Sequence, residues 1–209
     1  MNDDPRLILA LAAGTDDEFA WDQLMNIQCK MFAAGPVQIK FAYYGREGAA
    51  QITTRWITDS DDMRAVMERG RAGCVCGCYA DVTDILEQAL QEAEQAPVQA
   101  VVIVGDHFRG SARMIALAKR LRQAGTRLVL LQEQTRPSSN HAGKLLAQET
   151  DGAYFQFNPA IERVAERLPG LLEAVTHLAI GGVDALAARD DESAVLLLEQ
   201  LEAGRAKLK

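Results

Sequence analysis

Apolar positions along the chain fall into short continuous runs that alternate with stretches of helical periodicity. Residues 6–12 form one such run, closed by Gly14, and residues 18–32 then place Phe19, Leu24, Ile27 and Met31 at helical spacing. This predicts a strand followed by a helix. Residues 37–44 read as a second strand, and residues 52–58, rich in β-branched side chains, as a third, joined through Gly45-Arg46-Glu47-Gly48. So short a link forces antiparallel pairing, because a parallel return needs a crossover of about a dozen residues or more. Asp59 or Ser60 is placed to cap a helix carrying Met63, Val66 and Met67 that stops near Gly70 and Gly73. Residues 81–96 put Ile85, Leu86, Ala89 and Leu90 on one side of a further helix, stopped by Pro97.

From there the alternation is strict. A strand at residues 100–104 ends at Gly105, a helix over 111–124 is terminated by Gly125, and a strand follows at 127–131. A polar loop through Pro137-Ser138-Ser139-Asn140 leads to a helix over 141–150, then Gly152 and a strand over 153–157. The expected fold class is α/β: a doubly wound, mostly parallel six-stranded sheet with one antiparallel edge strand, helices on both faces, and a C-terminal helical extension. The boundaries read as residues 1–160 for the α/β domain and 161–209 for the extension. Beyond Pro159 the chain reads helical to about Ile180, with breaks at Gly181-Gly182 and Asp190-Asp191-Glu192-Ser193. The stripe of Val195, Leu196, Leu197, Leu198 and Leu201 is too apolar to stand alone and is expected to pack on the domain or on a partner.

Charge narrows the function. The 29 acidic residues outnumber the 22 basic ones for a net charge of −7, which lacks the electrostatic footprint of a nucleic-acid binder and favours protein or small-molecule partners. The first residues carry no basic stretch ahead of an apolar core, and no apolar run approaches the roughly 20 residues of a membrane span. The expectation is a cytoplasmic protein with no membrane contact. Cys74, Cys76 and Cys78 cluster while only Cys29 lies elsewhere, unlike the dispersed pattern of a secreted disulfide framework.

Asp106 is the candidate around which the others are judged. It follows the buried-strand run and Gly105, at the carboxyl end where open α/β sheets gather ligands and the next helix offers N–H groups. His107 and His141 fall on the same expected rim, as do Arg109 and Arg113, which suit an acidic partner or pair with local carboxylates. His177 lies within the extension and reads as structural, and Trp21 and Trp56 read as packing residues. A second centre is Cys74-Val75-Cys76-Gly77-Cys78, whose thiolates suit zinc or an iron–sulfur group if a fourth ligand comes from Cys29, His107 or His141. Its spacing is not that of a zinc ribbon, and free cysteine is often a small buried hydrophobe. No Gly-x-Ser-x-Gly elbow or Gly-x-x-x-x-Gly-Lys phosphate loop occurs, so catalysis is not expected.

The element order resembles that of the von Willebrand factor A-type (vWA) domain over about residues 6 to 160. The Gly-terminated helix Leu117-Ala118-Lys119-Arg120-Leu121-Arg122-Gln123-Ala124-Gly125 and the segment Leu145-Leu146-Ala147-Gln148-Glu149-Thr150-Asp151-Gly152-Ala153-Tyr154-Phe155 are similar to that family's second half. Many members hold a divalent cation at the carboxyl end of the sheet through an Asp-x-Ser-x-Ser motif, a Thr and a distal Asp. Here Ala13-Gly14-Thr15-Asp16-Asp17 matches the first motif with Ala13 in place of its leading carboxylate, Thr83 in Asp81-Val82-Thr83-Asp84 resembles the Thr, and Asp106 the distal Asp. The resemblance implies a bacterial-style protein-interaction module whose rim is Thr15, Asp17, Thr83 and Asp106, with the cation site incomplete or lost. The cofactor is then none, or Mg²⁺ or Mn²⁺ at those four residues, since hydroxyl and carboxylate oxygens suit such hard ions. Two alternatives stand beside it: a metal- or thiol-binding protein using Cys74, Cys76, Cys78 and His107, and a homo-oligomeric scaffold through the C-terminal helices.

Overall fold

A computed structural model describes residues 4–12, 18–44, 51–52, 55–73, 82–105, 111–133, 140–157 and 164–206. The elements run β1 (Arg6–Ala12), α1 (Glu18–Ala33), β2 (Gln38–Tyr44), β3 (Gln51–Ile52), α2 (Ser60–Gly73), α3 (Thr83–Gln95), β4 (Ala100–Gly105), α4 (Ala112–Gln123), β5 (Arg127–Glu133), α5 (Asn140–Glu149), β6 (Ala153–Phe157), α6 (Val164–Ala187) and α7 (Glu192–Ala206). They form one sheet in the order β3-β2-β1-β4-β5-β6. Five strands are parallel, from β2 through β1, β4 and β5 to β6.

The antiparallel contribution at the β2 edge is slight. Among the described residues the expected strand over residues 52–58 overlaps β3 at Ile52 alone; β3 itself is Gln51 and Ile52, opposite Tyr43 and Ala42. Farther along, Ile57 and Ile39 exchange two backbone hydrogen bonds of 2.8 Å in an isolated antiparallel bridge. Between them Trp56 sets its ring against Arg6 of β1 and Lys40 of β2.

Local chemistry explains where the helices start and stop. Of the two possible caps for α2, Asp59 is the one used: its Oδ1 accepts from the Asp62 N–H at 2.8 Å. Ser111 caps α4, its Oγ accepting from the Met114 N–H at 3.2 Å. The other end of α4 closes with the Thr126 and Gly125 N–H groups donating to the Leu121 and Arg122 carbonyls, 2.9 Å each, while Gly125 adopts φ +79°. At the end of α5 the chain turns against the neighbouring strand so closely that a Cβ on Gly152 would lie 1.9 Å from the Leu128 carbonyl oxygen.

Strand alternation sorts the core into two layers. One face carries Leu7, Leu9, Ile39, Phe41, Val102, Val129, Leu131 and Phe155, covered by Ile27 and Met31 of α1, Met63 and Met67 of α2, and the apolar positions of α6 and α7. The opposite face carries Ile8, Ala10, Val101, Ile103, Leu128 and Leu130, covered by α3, α4 and α5. Helices therefore lie on both faces.

The segment after residue 160 enters this arrangement directly. Leu168, Leu171, Leu172, Val175 and Leu178 of α6, with Leu197 and Leu201 of α7, belong to the first layer. α6 packs on α1, α7, β1 and β5, and α7 on β6. Gly182, at φ +72° and ψ −163°, interrupts α6 with a kink, in backbone space that only glycine enters without strain. Arg167–Ala187 is also long and apolar enough by length and composition to cross a membrane, which corrects the expectation that no stretch approaches that length. In this structure its leucines and valines face the sheet and α1.

Candidate functional site

Strand order places a reversal between β1 and β4, neighbours whose registers align Leu11 with Val104. After β1 the chain continues to α1 on one face, and after β4 to α4 on the other. Where adjacent parallel strands send their connections to opposite faces, a crevice opens at their carboxyl ends, and this is the favoured ligand position in sheets of this kind. Helices α3, α4 and α5 each start at that same edge, so their N-termini point their partial positive charge toward it.

Of the predicted rim residues, the described structure contains Thr83. It opens α3 at this edge and is 7% exposed. Val82 occupies the cap position and makes no side-chain capping hydrogen bond, while Asp84 adds a carboxylate to the first turn. Thr15, Asp17 and Asp106 lie outside the described residues, in the stretches joining β1 to α1 and β4 to α4. Cys74, Cys76, Cys78 and His107 are also outside them, and so is Arg109. Cys29 is an exposed free thiol on α1, and His141 is exposed in the first turn of α5. Among the described residues no group of three or more His, Cys, Asp or Glu side chains is positioned to hold a metal ion. Arg113, beside the rim, is engaged: Glu87 of α3 accepts from its Nε at 3.0 Å and from its Nη2.

Behind Thr83, the far half of α3 is anchored by a buried polar cluster. Lys40 of β2 lies with Nζ 2.5 Å from Glu92 Oε1, and both side chains are almost fully buried. Gln88 donates to the same oxygen at 2.9 Å, and the Trp56 indole N–H donates to Oε2 at 3.2 Å. Arg6 and Lys40 approach the Trp56 ring at 4.9 and 5.3 Å from its centroid. Burial would by itself raise the Glu92 pKa, but the hydrogen bond and charge of Lys40, with Gln88 and Trp56, hold it below the usual carboxylate value. Trp56 is thus more than a packing residue. The available signal was Glu92 itself, seven residues after Ile85 and three after Ala89 on the apolar stripe of α3.

A second polar pair lies nearer the rim on the same face. Tyr154 Oη donates to Gln132 Oε1 at 3.0 Å, in the register row next to the end of β4, where Gly105 aligns with Gln132. Burial pushes the Tyr154 phenol up to about 12.

No family model matches the sequence, and no curated protein does. Solved structures match the fold. A von Willebrand factor type A protein from Catenulispora acidiphila superposes with TM-score 0.63 at 9% identity, covering 85% of this chain and 43% of its own. The VWA domain of SpRpn10 gives 0.61 at 12% identity, covering 78% of this chain and 93% of its own. Proximal thread matrix protein 1 from the mussel byssus, with a zinc-occupied MIDAS motif, gives 0.60 at 11% identity over 83% of this chain and 46% of its own. The chain therefore spans less than half the length of two of these three proteins and has a vWA-like fold.

Proposed function

We propose that this chain is a non-catalytic protein-interaction domain that binds a partner protein through the carboxyl rim of its vWA-like sheet, at a cation site lacking its leading carboxylate. The observation that carries the reading is the β1/β4 reversal with Thr83 at the start of α3 on the same edge. Thr15 and Asp17 follow β1 in the sequence and Asp106 follows β4, so the candidate oxygens come from the segments that flank the reversal. Their chemistry suits a hard divalent ion or the donor groups of a protein surface. Ala13 supplies no oxygen where the motif begins with Asp, and Mg²⁺, which gives up its hydration water reluctantly, is held less firmly by a site with one carboxylate fewer. The rim is accordingly read as contacting its partner with weak help, or none, from a cation.

The test is affinity capture with the tagged full chain, comparing wild type, Thr83→Val, Asp106→Ala and Arg120→Ala. Arg120 is exposed in the last turn of α4, at the opposite edge of the sheet, and serves as the control. Capture should fall at least tenfold in both rim variants and persist in the control. A captured set indifferent to Thr83 and Asp106 sinks the reading.

A further inference from the structure

The junction between α6 and α7 is closed by one guanidinium. Arg189 donates from Nε to Asp191 Oδ2 at 2.6 Å and from Nη2 to Glu173 Oε1 at 3.0 Å, and its Nη1 lies 2.6 Å from His177 Nε2. Glu173 and His177 stand four residues apart on α6, so Arg189 reaches back across the turn to one helical face. Asp191 also caps α7: its Oδ1 accepts from the Ala194 N–H at 3.0 Å, and the Ser193 backbone adds a further hydrogen bond. From α1, Lys30 approaches the second oxygen of Glu173 at 3.5 Å. Gly170 is pressed so close to Ser193 that a Cβ there would lie 2.4 Å from the hydroxyl, so the two helices meet tightly at this point.

Arginine has no acceptor, so His177 Nε2 accepts in this contact, and the ring is neutral with its proton on Nδ1. Protonation would remove the accepting lone pair and set a second cation against Arg189. We propose that this cluster is an acid-sensitive clasp: protonation of His177 displaces Arg189 and loosens the α6–α7 junction, releasing α7 from the sheet. The groups that reach His177 are Arg189 and Asp191 from the junction and Glu173 from its own helix, with Lys30 of α1 one step away on Glu173. Burial and Arg189 favour the neutral ring, Glu173 and Asp191 the charged one, and the first two prevail, so its pKa lies below the ordinary 6.5. The clasp is intact above about pH 6.5 and is lost as pH falls through the lowered value. Asp191 is held below 3.8, because its backbone and Arg189 hydrogen bonds outweigh burial, so it stays ionised throughout that window. Release of α7 would uncover Leu197 and Leu201, which are buried at 0% and 3% exposure.

Hydrogen exchange of α7 in the full chain tests this, at pH 7.5 and 5.0 and corrected for intrinsic rates, in wild type and His177→Gln. Glutamine keeps an acceptor and does not titrate. Wild-type protection should fall several-fold at pH 5.0, with a ceiling of about thirtyfold set by the ordinary imidazole value. The variant should stay protected. Undiminished protection in wild type overturns the clasp, and so does an equal fall in the variant. If His177→Gln does not fold, NMR titration of the wild-type ring decides: the imidazole and α7 amide signals must share one midpoint below 6.5, and separate midpoints overturn it.

Discussion

Lys40 and Glu92 form a salt bridge of 2.5 Å between β2 and α3, with side chains only 6% and 7% exposed. Removing one partner of such a pair leaves the other charged and dry, at a typical cost of about 3–5 kcal/mol, whereas replacing both by apolar groups is often close to neutral. Lys40→Met alone should therefore lower the denaturation midpoint strongly, and Lys40→Met/Glu92→Leu should recover most of the loss. Urea melts of the two variants check this. Because the Glu92 pKa is lowered on folding, its contribution is present above about pH 4.5 and is lost as pH falls through the lowered value.

Thr150 supports the β5 backbone. Its Oγ1 accepts from the Leu128 N–H at 3.0 Å and lies 3.0 Å from the Ala147 carbonyl, to which it can donate. Thr150→Val keeps the shape and strands a buried N–H, so a loss of about 1–3 kcal/mol is expected by calorimetry. A neutral result would mean that Leu128 has found another acceptor.

Tyr154 should ionise near 12, later than an ordinary phenol at about 10. A raised acid pKa means that the folded state favours the protonated form. Its stabilisation is full below about pH 10 and is lost as pH rises through 12. Ultraviolet titration of wild type against Tyr154→Phe should show the missing transition at the alkaline end.

Divalent cations test the rim. Wild type should gain little thermal stability from millimolar Mg²⁺, and Ala13→Asp should gain a Mg²⁺-dependent rise in Tm, since an ion bound only by the native state stabilises it. Asp106→Ala on the Ala13→Asp background should abolish the rise. Full Mg²⁺ stabilisation of wild type would show that the leading carboxylate is dispensable.

Truncation after residue 160 should unfold the sheet. α6 and α7 contribute Leu168, Leu171, Leu172, Val175, Leu197 and Leu201 to the layer over Leu7, Leu9, Val102 and Val129. Far-ultraviolet circular dichroism of the shortened chain should lose its cooperative melt. A sharp transition retained by residues 1–160 would show that the extension is dispensable to the fold.

Periodicity read well wherever a segment was buried along its whole length. Residues 100–104 are apolar throughout because helices cover both faces of β4, and glycine and proline stops at Gly125 and Pro97 mark real helix ends. It read less well at the β2 edge. Alternation in Gln38-Ile39-Lys40-Phe41 suggests that Gln38 and Lys40 face solvent, yet both are 5% exposed: Lys40 meets Glu92 of α3 and the Trp56 ring, and Arg6 donates to Gln38. Pattern records which residues are polar, and only the tertiary partner decides whether a polar residue is wet. The same gap explains α6, whose helicity was legible while its partners, α1 and the sheet, were not. At the rim, Thr83 opens α3 at the carboxyl edge of the sheet, while Thr15, Asp17 and Asp106 lie outside the described residues.

The buried pair also bears on how the chain avoids folding wrongly. β2 lies beside β1 with Ile8 opposite Lys40, in a parallel ladder whose backbone bonds are indifferent to side-chain identity. A slip by one residue would turn Lys40 into the layer of Leu9, Ile27 and Met31, bring Ile39 or Phe41 against Glu92, and strand two opposite charges on different sides of the sheet. Apolar alternation alone would penalise that error through misfit. The ammonium and carboxylate make it prohibitive, so a single lysine proofreads the pairing of β2 with β1.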